Sequence, residues 1–365
     1  ESIAPEAIID IIIRGGVTDT GKKLYTDATP IDDKARIAMK HILNTQIPLS
    51  KSQLSRIYYA AKGLPDPRGQ EYDLEKLRAD TATHRISQTV YLQCGEHHRT
   101  TGPDATKPVG ETEWVNSIAT IAREDPEQTQ IGAMIGTAEL RLGSGVRAVL
   151  EAHVSASSLF RGIRQSAAWD PSDAVPLSGN VTDGTLYRDP AFREGFAVLG
   201  DMGLSFDAWH YFHQTPYLTE LAQTFPDTTI VLDHFGTPLG VGPYANRRDE
   251  IFDQWASDLV DLARCPSVSI KLGGLAMPWN GFGFELGSLP PTSDDIVDKQ
   301  ERYYAHAIDA FGADRCMFES NFPVDRYSVS YGVLWNAFKK IAAPYTATEQ
   351  DRLFRETATR VYRLQ

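Results

Sequence analysis

Short apolar runs rich in β-branched residues alternate along this chain with stretches of helical period, and that alternation limits its fold more than any other feature. The runs are Ile8–Ile13, Ile86–Gln93, Ile131–Gly136, Phe160–Ser166, Ser205–Tyr211, Thr228–His234, Val268–Leu272 and Arg315–Ser320. Helical patterns fall between them at Asp73–His84, Glu111–Asp125, Val146–Ser157, Pro190–Gly203, Tyr217–Phe225, Arg247–Arg264 and Thr292–Gly312, with Tyr331–Ala343 and Thr348–Leu364 closing the chain. A run followed by a helix and then another run is the signature of a parallel βα unit. Eight such runs predict a closed α/β barrel of the (β/α)8 or TIM type. An open doubly wound sheet would carry a glycine-rich phosphate loop after its first strand, and "RGGVTDTG" lacks that glycine order. At 365 residues the chain suits one barrel with insertions, spanning 1–365.

Residues 15–72 break the rhythm. They hold two helix-like patches, "DDKARIAMKHIL" and "SKSQLSRIYYAAKG". A connection that long inside a compact domain is expected to be a lid, a binding loop or an oligomer contact, so a homodimer is one expectation. Because βα loops build the C-terminal face of a barrel, the insertion is expected over the site.

Charge narrows the partners. A formal net charge of -12 repels nucleic acid and anionic membrane surfaces, which leaves a small molecule as the expected partner. Three cysteines with no CxxC neighbour fit a reducing compartment better than a disulfide framework. The apolar stretch "AIIDIII" is far short of the roughly 20 residues a membrane span needs. A cytoplasmic protein is expected.

Several motifs in order, "FRGIRQSAAWD", "GLSFDAWHY", "FPDTTIVLDHFGTPLGVGPY", "VSIKLGGLAMP" and "RCMFESNFPVD", resemble the amidohydrolase-2 group. Within it they are similar to the lactonase-like branch that includes 2-pyrone-4,6-dicarboxylate lactonase and sugar lactonases. The match runs from about Asp73 to the C-terminus and leaves the insertion uncovered. The resemblance implies a TIM barrel with its site at the strand ends and hydrolysis of an ester-like ring bond.

Metal-dependent members of that group hold divalent ions with first-strand histidines and a last-strand aspartate. Here "IIDIIIR" sets Ile12 and Arg14 at the histidine positions, and "MFESNFP" sets Asn321 at the aspartate. Relatives often read FRGIRHS where this chain has Gln165. Isoleucine has no donor, arginine brings a fixed positive charge, and asparagine is a weak neutral ligand. No cofactor is expected, zinc included; the pyrone lactonase branch, by resemblance, works without a metal.

A metal-free hydrolase needs fixed donors to polarise a carbonyl and a side-chain base to activate water. His234 closes a strand run in "IVLDHFG", where an ionisable residue reads as catalytic. Asp233 beside it is expected to face away and tie down a helix or loop. His210 and His213 end the preceding run, and their spacing of three lets at most one reach substrate. Glu319, Asn321 and Asp325 gather after the last run; a buried Asp325 or Glu319 would have a raised pKa, and Asp325 capping a helix is the structural alternative. Arg164 with Gln165, and Arg14, are candidate carboxylate anchors or ordinary ion-pair partners, while Arg161 is expected in a salt bridge outside the barrel. Lys271 inside the barrel requires a partner, as a paired ion or as a site group. Trp209 and Gln214 join the expected substrate contacts.

These residues together predict hydrolysis of a lactone or related cyclic carbonyl compound, carboxylated and drawn from aromatic catabolism. His234 with Asp325 or Glu319 activates water, and Asn321 with a strand-end histidine polarises the carbonyl. The alternatives are an isomerase, decarboxylase or C–C lyase on the same scaffold, and a ligand-binding pseudoenzyme.

Overall fold

The computed structural model describes residues 72–172, 174–176, 183–287 and 289–365. The strand expected at Ile8–Ile13, Arg14 and the insertion at 15–72 therefore lie outside the described residues, apart from Tyr72. One compact unit comprises Leu74–Pro171 and Val175–Gln365, and a second takes in Glu1–Asp73 with Ser172–Ala174.

Seven parallel strands run through the first unit in chain order: β1 Gln88–Leu92, β2 Gln130–Gly136, β3 Phe160–Ser166, β4 Ser205–Trp209, β5 Ile230–Leu232, β6 Val268–Leu272 and β7 Cys316–Phe318. Each pairs with the next, as in Phe206 with Ile230 and Lys271 with Met317. A helix follows each strand: α2 Val109–Ala122, α3 Val146–Ala156, α4 Pro190–Asp201, α5 Thr215–Thr224, α6 Arg248–Ala263, α7 Ser293–Phe311 and α8 Tyr331–Ala342, with α1 Leu74–Thr81 preceding β1. This is the wall of a TIM barrel, as the alternation predicts.

Local chemistry sets the helix ends. Asp189 caps α4, accepting from the N–H groups of Ala191 and Phe192, and Pro190 supplies a preset φ at the first position. A capping box between Thr292 and Asp295 opens α7, the longest helix among the described residues. The last helical pattern is interrupted: Ala347–Asp351 (α9) and Thr357–Tyr362 (α10) flank a π-turn at Arg352–Glu356.

Inside the wall, Ala133 and Ile135 of β2, Val231 of β5 and Met317 of β7 pack with Val361 and Tyr362 of α10. The C-terminal helix thus closes the apolar interior. Above that layer, inward positions carry Arg164, Asp207 and Lys271, and the chain leaving β5 and β7 supplies His234 and Glu319. Among the described residues no helix is long and apolar enough to cross a membrane.

Candidate active site

The site is built where β5 and β7 end early. The sequence predicts strands reaching His234 and Ser320, but β5 stops at Leu232 and β7 at Phe318. Beyond β5 the chain turns left-handed over four consecutive residues, with φ of 52° at His234, 59° at Phe235, 66° at Gly236 and 48° at Thr237. Only Gly236 adopts that region without strain; the other three cost about 1–2 kcal/mol each. Tertiary contacts hold the turn: the Trp255 indole N–H donates to the Phe235 carbonyl at 2.6 Å, and that of Trp209 to Thr237 Oγ1 at 3.2 Å.

The turn presents His234 to Glu319. His234 Nδ1 lies 2.5 Å from Glu319 Oε1, and the same oxygen accepts the His234 backbone N–H at 3.3 Å. Burial alone would push the imidazole pKa down, but the Glu319 carboxylate outweighs it and the net shift is upward. The Trp209 ring packs edge-on at a centroid distance of 6.2 Å. Two glycines make room. A Cβ on Gly274, at φ 76°, would stand 2.7 Å from His234 Nδ1, and one on Gly273 would stand 2.1 Å from the Glu319 carbonyl oxygen.

Asp325 is fully buried nearby. Its Oδ1 accepts from Asn321 Nδ2 at 2.9 Å, and its Oδ2 has no hydrogen-bond partner among the described residues. Burial pushes its carboxyl up to about 7, against the opposing pull of Asn321 and His234. Asn321, at φ 51°, therefore orients the acid.

Beneath the pair, the Lys271 ammonium bridges Asp207 Oδ2 at 2.7 Å and Asp233 Oδ1 at 2.8 Å and stands 3.9 Å from Glu319 Oε2. Burial would lower the Lys271 pKa, but the carboxylates raise it. Burial raises Asp207 to about 6, although Lys271 opposes it, while Lys271, His234 and Arg164 overcome burial at Asp233 and hold it at about 2. Asp233 thus joins the site rather than tying down an outer helix, because it stays extended (φ -77°, ψ 140°) in phase with inward-facing Val231, and it is His234, at φ 52°, that leaves the alternation. Arg164 is engaged as well, reaching Asp233 Oδ2 at 3.4 Å and the Gln93 carbonyl at 2.5 Å.

The remaining candidates are tied elsewhere. His210 is fully buried between the Tyr187 hydroxyl at 3.2 Å and Thr215 Oγ1 at 3.1 Å, and burial lowers its pKa to about 3. His213 binds Asp170 at 3.0 Å, which also accepts from the Tyr244 hydroxyl. Neither hydrogen-bonds to His234, Glu319 or Asp325. Gln165 bridges Glu139 and the Leu140 N–H, and Gln214 holds the Trp169, Tyr211 and Ala167 backbone. Arg161 makes no salt bridge among the described residues; it donates to the carbonyls of Tyr362 and Ser158.

Sequence reasoning passed over Tyr362 and the two glycines. The Tyr362 hydroxyl donates to Asp207 Oδ2 at 2.7 Å across 155 positions, a separation that leaves no local signal. "KLGG" did carry one, since paired glycines after a strand mark close backbone approach.

A parallel barrel with a histidine–carboxylate pair at its strand ends is the framework of an amidohydrolase-superfamily enzyme. Residues 59–364 match the amidohydrolase family, and the chain belongs to it. The uncharacterized protein y4mH of Sinorhizobium fredii is 34% identical over 80% of this chain and 86% of its own length. An L-fucono-1,5-lactonase of Burkholderia ambifaria is 28% identical over 55% of this chain and 59% of its own. An amidohydrolase of Burkholderia multivorans, solved with bound HEPES and with bound zinc, superposes at a TM-score of 0.64 in both forms, with 23% identity over 82% of this chain and 91% and 90% of those chains.

Among the described residues the side chains of this site do not fit a divalent ion. No group of three His, Cys, Asp or Glu side chains among the described residues is arranged to hold one. The three carboxylates that converge do so on the Lys271 ammonium, Glu319 is hydrogen-bonded to His234, and Ile12 and Arg14 offer no metal donor.

Proposed function

We propose that the enzyme hydrolyses the ring ester of a neutral lactone by proton transfer between side chains, without a metal. One observation carries this reading: the His234–Glu319 pair stands beside Asp325, a buried carboxyl raised to about 7 with one free oxygen. Asp325 Oδ2 accepts the proton of a water whose oxygen attacks the carbonyl carbon. His234, charged by virtue of Glu319, faces the developing negative charge through Nε2 and passes its proton to the ring oxygen as the C–O bond breaks. The product is the open hydroxy acid.

A neutral substrate is favoured over the carboxylated one expected from sequence. Among the described residues, Arg164 has Nη1 on Asp233 and Nη2 on the Gln93 carbonyl, which leaves only its buried Nε without a partner, and Lys271 is spent on two aspartates. The lactonase relative supports the ring ester as the bond cleaved.

The test is a panel of five- and six-membered lactones, neutral and carboxylated, followed by acid release with and without chelator. Turnover of neutral lactones that survives chelation is expected. Turnover confined to carboxylated rings, or loss of carbon dioxide without uptake of water, would overturn the reading.

A further inference from the structure

Glu319 alone would clamp the His234 proton too tightly for His234 to serve as an acid. A buried imidazolium in direct contact with a largely screened carboxylate, 14% exposed at Glu319, is stabilised by their mutual attraction, and an acid that does not release its proton does not catalyse. The structure supplies a counterweight. Glu319 Oε1 holds His234 at 2.5 Å, while its other oxygen lies 3.9 Å from the Lys271 ammonium. The carboxylate is thus shared between two cations.

We propose that Lys271 is a positioning residue that sets the acidity of His234 through Glu319, an internal cation supplying from the chain itself the fixed charge that a metal would bring. The inference rests on the reading of His234 as the proton donor. The geometry makes the ammonium immobile. It is 2% exposed, and Asp207 from β4 and Asp233 from beyond β5 hold it at 2.7 and 2.8 Å. The Tyr362 hydroxyl of α10 fixes Asp207 from below, and Arg164 of β3 fixes Asp233 from the side. The charged and titratable groups facing the pair are therefore Arg164, Asp207, Asp233, Lys271, Tyr304, Asp325 and Tyr362. Lys271 is the cation beside Glu319 Oε2, the oxygen turned away from His234.

The test reads the His234 ring by NMR titration of histidine-labelled protein, with the His234→Asn spectrum assigning the signal. No substrate is needed, so the outcome is independent of whether lactones turn over. In Lys271→Met the midpoint is expected to rise by about half a unit or more, since Glu319 then serves His234 alone. Lys271→Arg, which keeps the charge, is expected to stay within about 0.3 units of the parent. Lys271→Met leaves buried aspartates unpaired, so Lys271→Met/Asp207→Asn, which removes one charge of each sign, is measured beside it and is expected to show the same rise. An unmoved or lowered midpoint in either folded variant, or an equal rise in Lys271→Arg, overturns the proposal.

Discussion

His234 Nδ1 and Glu319 Oε1 meet at 2.5 Å, although 85 positions separate the two residues and neither lies within a strand. The contact fixes which ring nitrogen is engaged and leaves Nε2 for the proposed proton transfer. It also ties the turn after β5 to the turn after β7, so that a change on one side is felt on the other.

Replacing Glu319 by Gln keeps the shape and removes the charge, and its effect on stability has a defined sign. The folded His234 pKa is raised above its ordinary value, so the pair stabilises the fold fully below about pH 6.5 and loses that contribution as pH rises through the folded pKa. The difference in Tm between the parent and Glu319→Gln is expected to be largest near about pH 5.5 and to shrink by about pH 8.5. Thermal melts across that range check it; a difference that grows with pH would contradict the assignment.

Asp325→Asn is expected to trade activity for stability. A carboxyl whose folded pKa is raised to about 7 favours the fold while protonated, and that advantage is lost as pH rises from the usual carboxylate range through about 7. The amide escapes the penalty. Relative to the parent, Asp325→Asn should gain about 2–4 kcal/mol of stability between about pH 4 and pH 8, by denaturant titration. Its kcat should fall by about 10²–10⁴ on the lactone turned over best, and the rate limb near 7 should vanish.

Gly274→Ala tests the space behind the histidine. The new methyl would stand 2.7 Å from Nδ1 at a backbone φ of 76°, so the ring must shift or the loop must rebuild. A loss of about 1–3 kcal/mol of stability is expected together with a fall in kcat. Gly273→Ala, whose methyl meets the Glu319 backbone, is expected to cost more, because backbone cannot swing aside as a side chain can.

Tyr362→Phe removes the hydroxyl that donates to Asp207 Oδ2, on a carboxylate whose Oδ1 already has no partner among the described residues. Destabilisation of about 1–3 kcal/mol is expected, read as a lower urea midpoint with an unchanged slope. An unaltered midpoint would show that the C-terminal helix contributes packing alone.

The parallel wall was legible because it rests on periodicity. Phe160–Ser166 and Val268–Leu272 fall on the predicted bounds, and the helices after them follow from apolar spacing and from caps such as Asp189 and Thr292. The sequence also named His234, Glu319, Asn321, Asp325, Arg164 and Lys271, since polar and ionisable residues at the ends of apolar runs stand out against their surroundings. Their division of labour was not legible. Whether Arg164 faces a substrate or Asp233, and whether His210 reaches the site or is held by Tyr187 and Thr215, depends on where strands end and how the chain turns there. Those ends are set by contacts between distant elements: Trp255 on the Phe235 carbonyl, Tyr362 on Asp207, Gly273 against Glu319. Local pattern dictates which residues alternate in and out of a wall. Only the packing of seven parallel strands against a C-terminal helix decides which charges share a low-dielectric interior, and there each buried charge must find a partner in another element or shift its pKa.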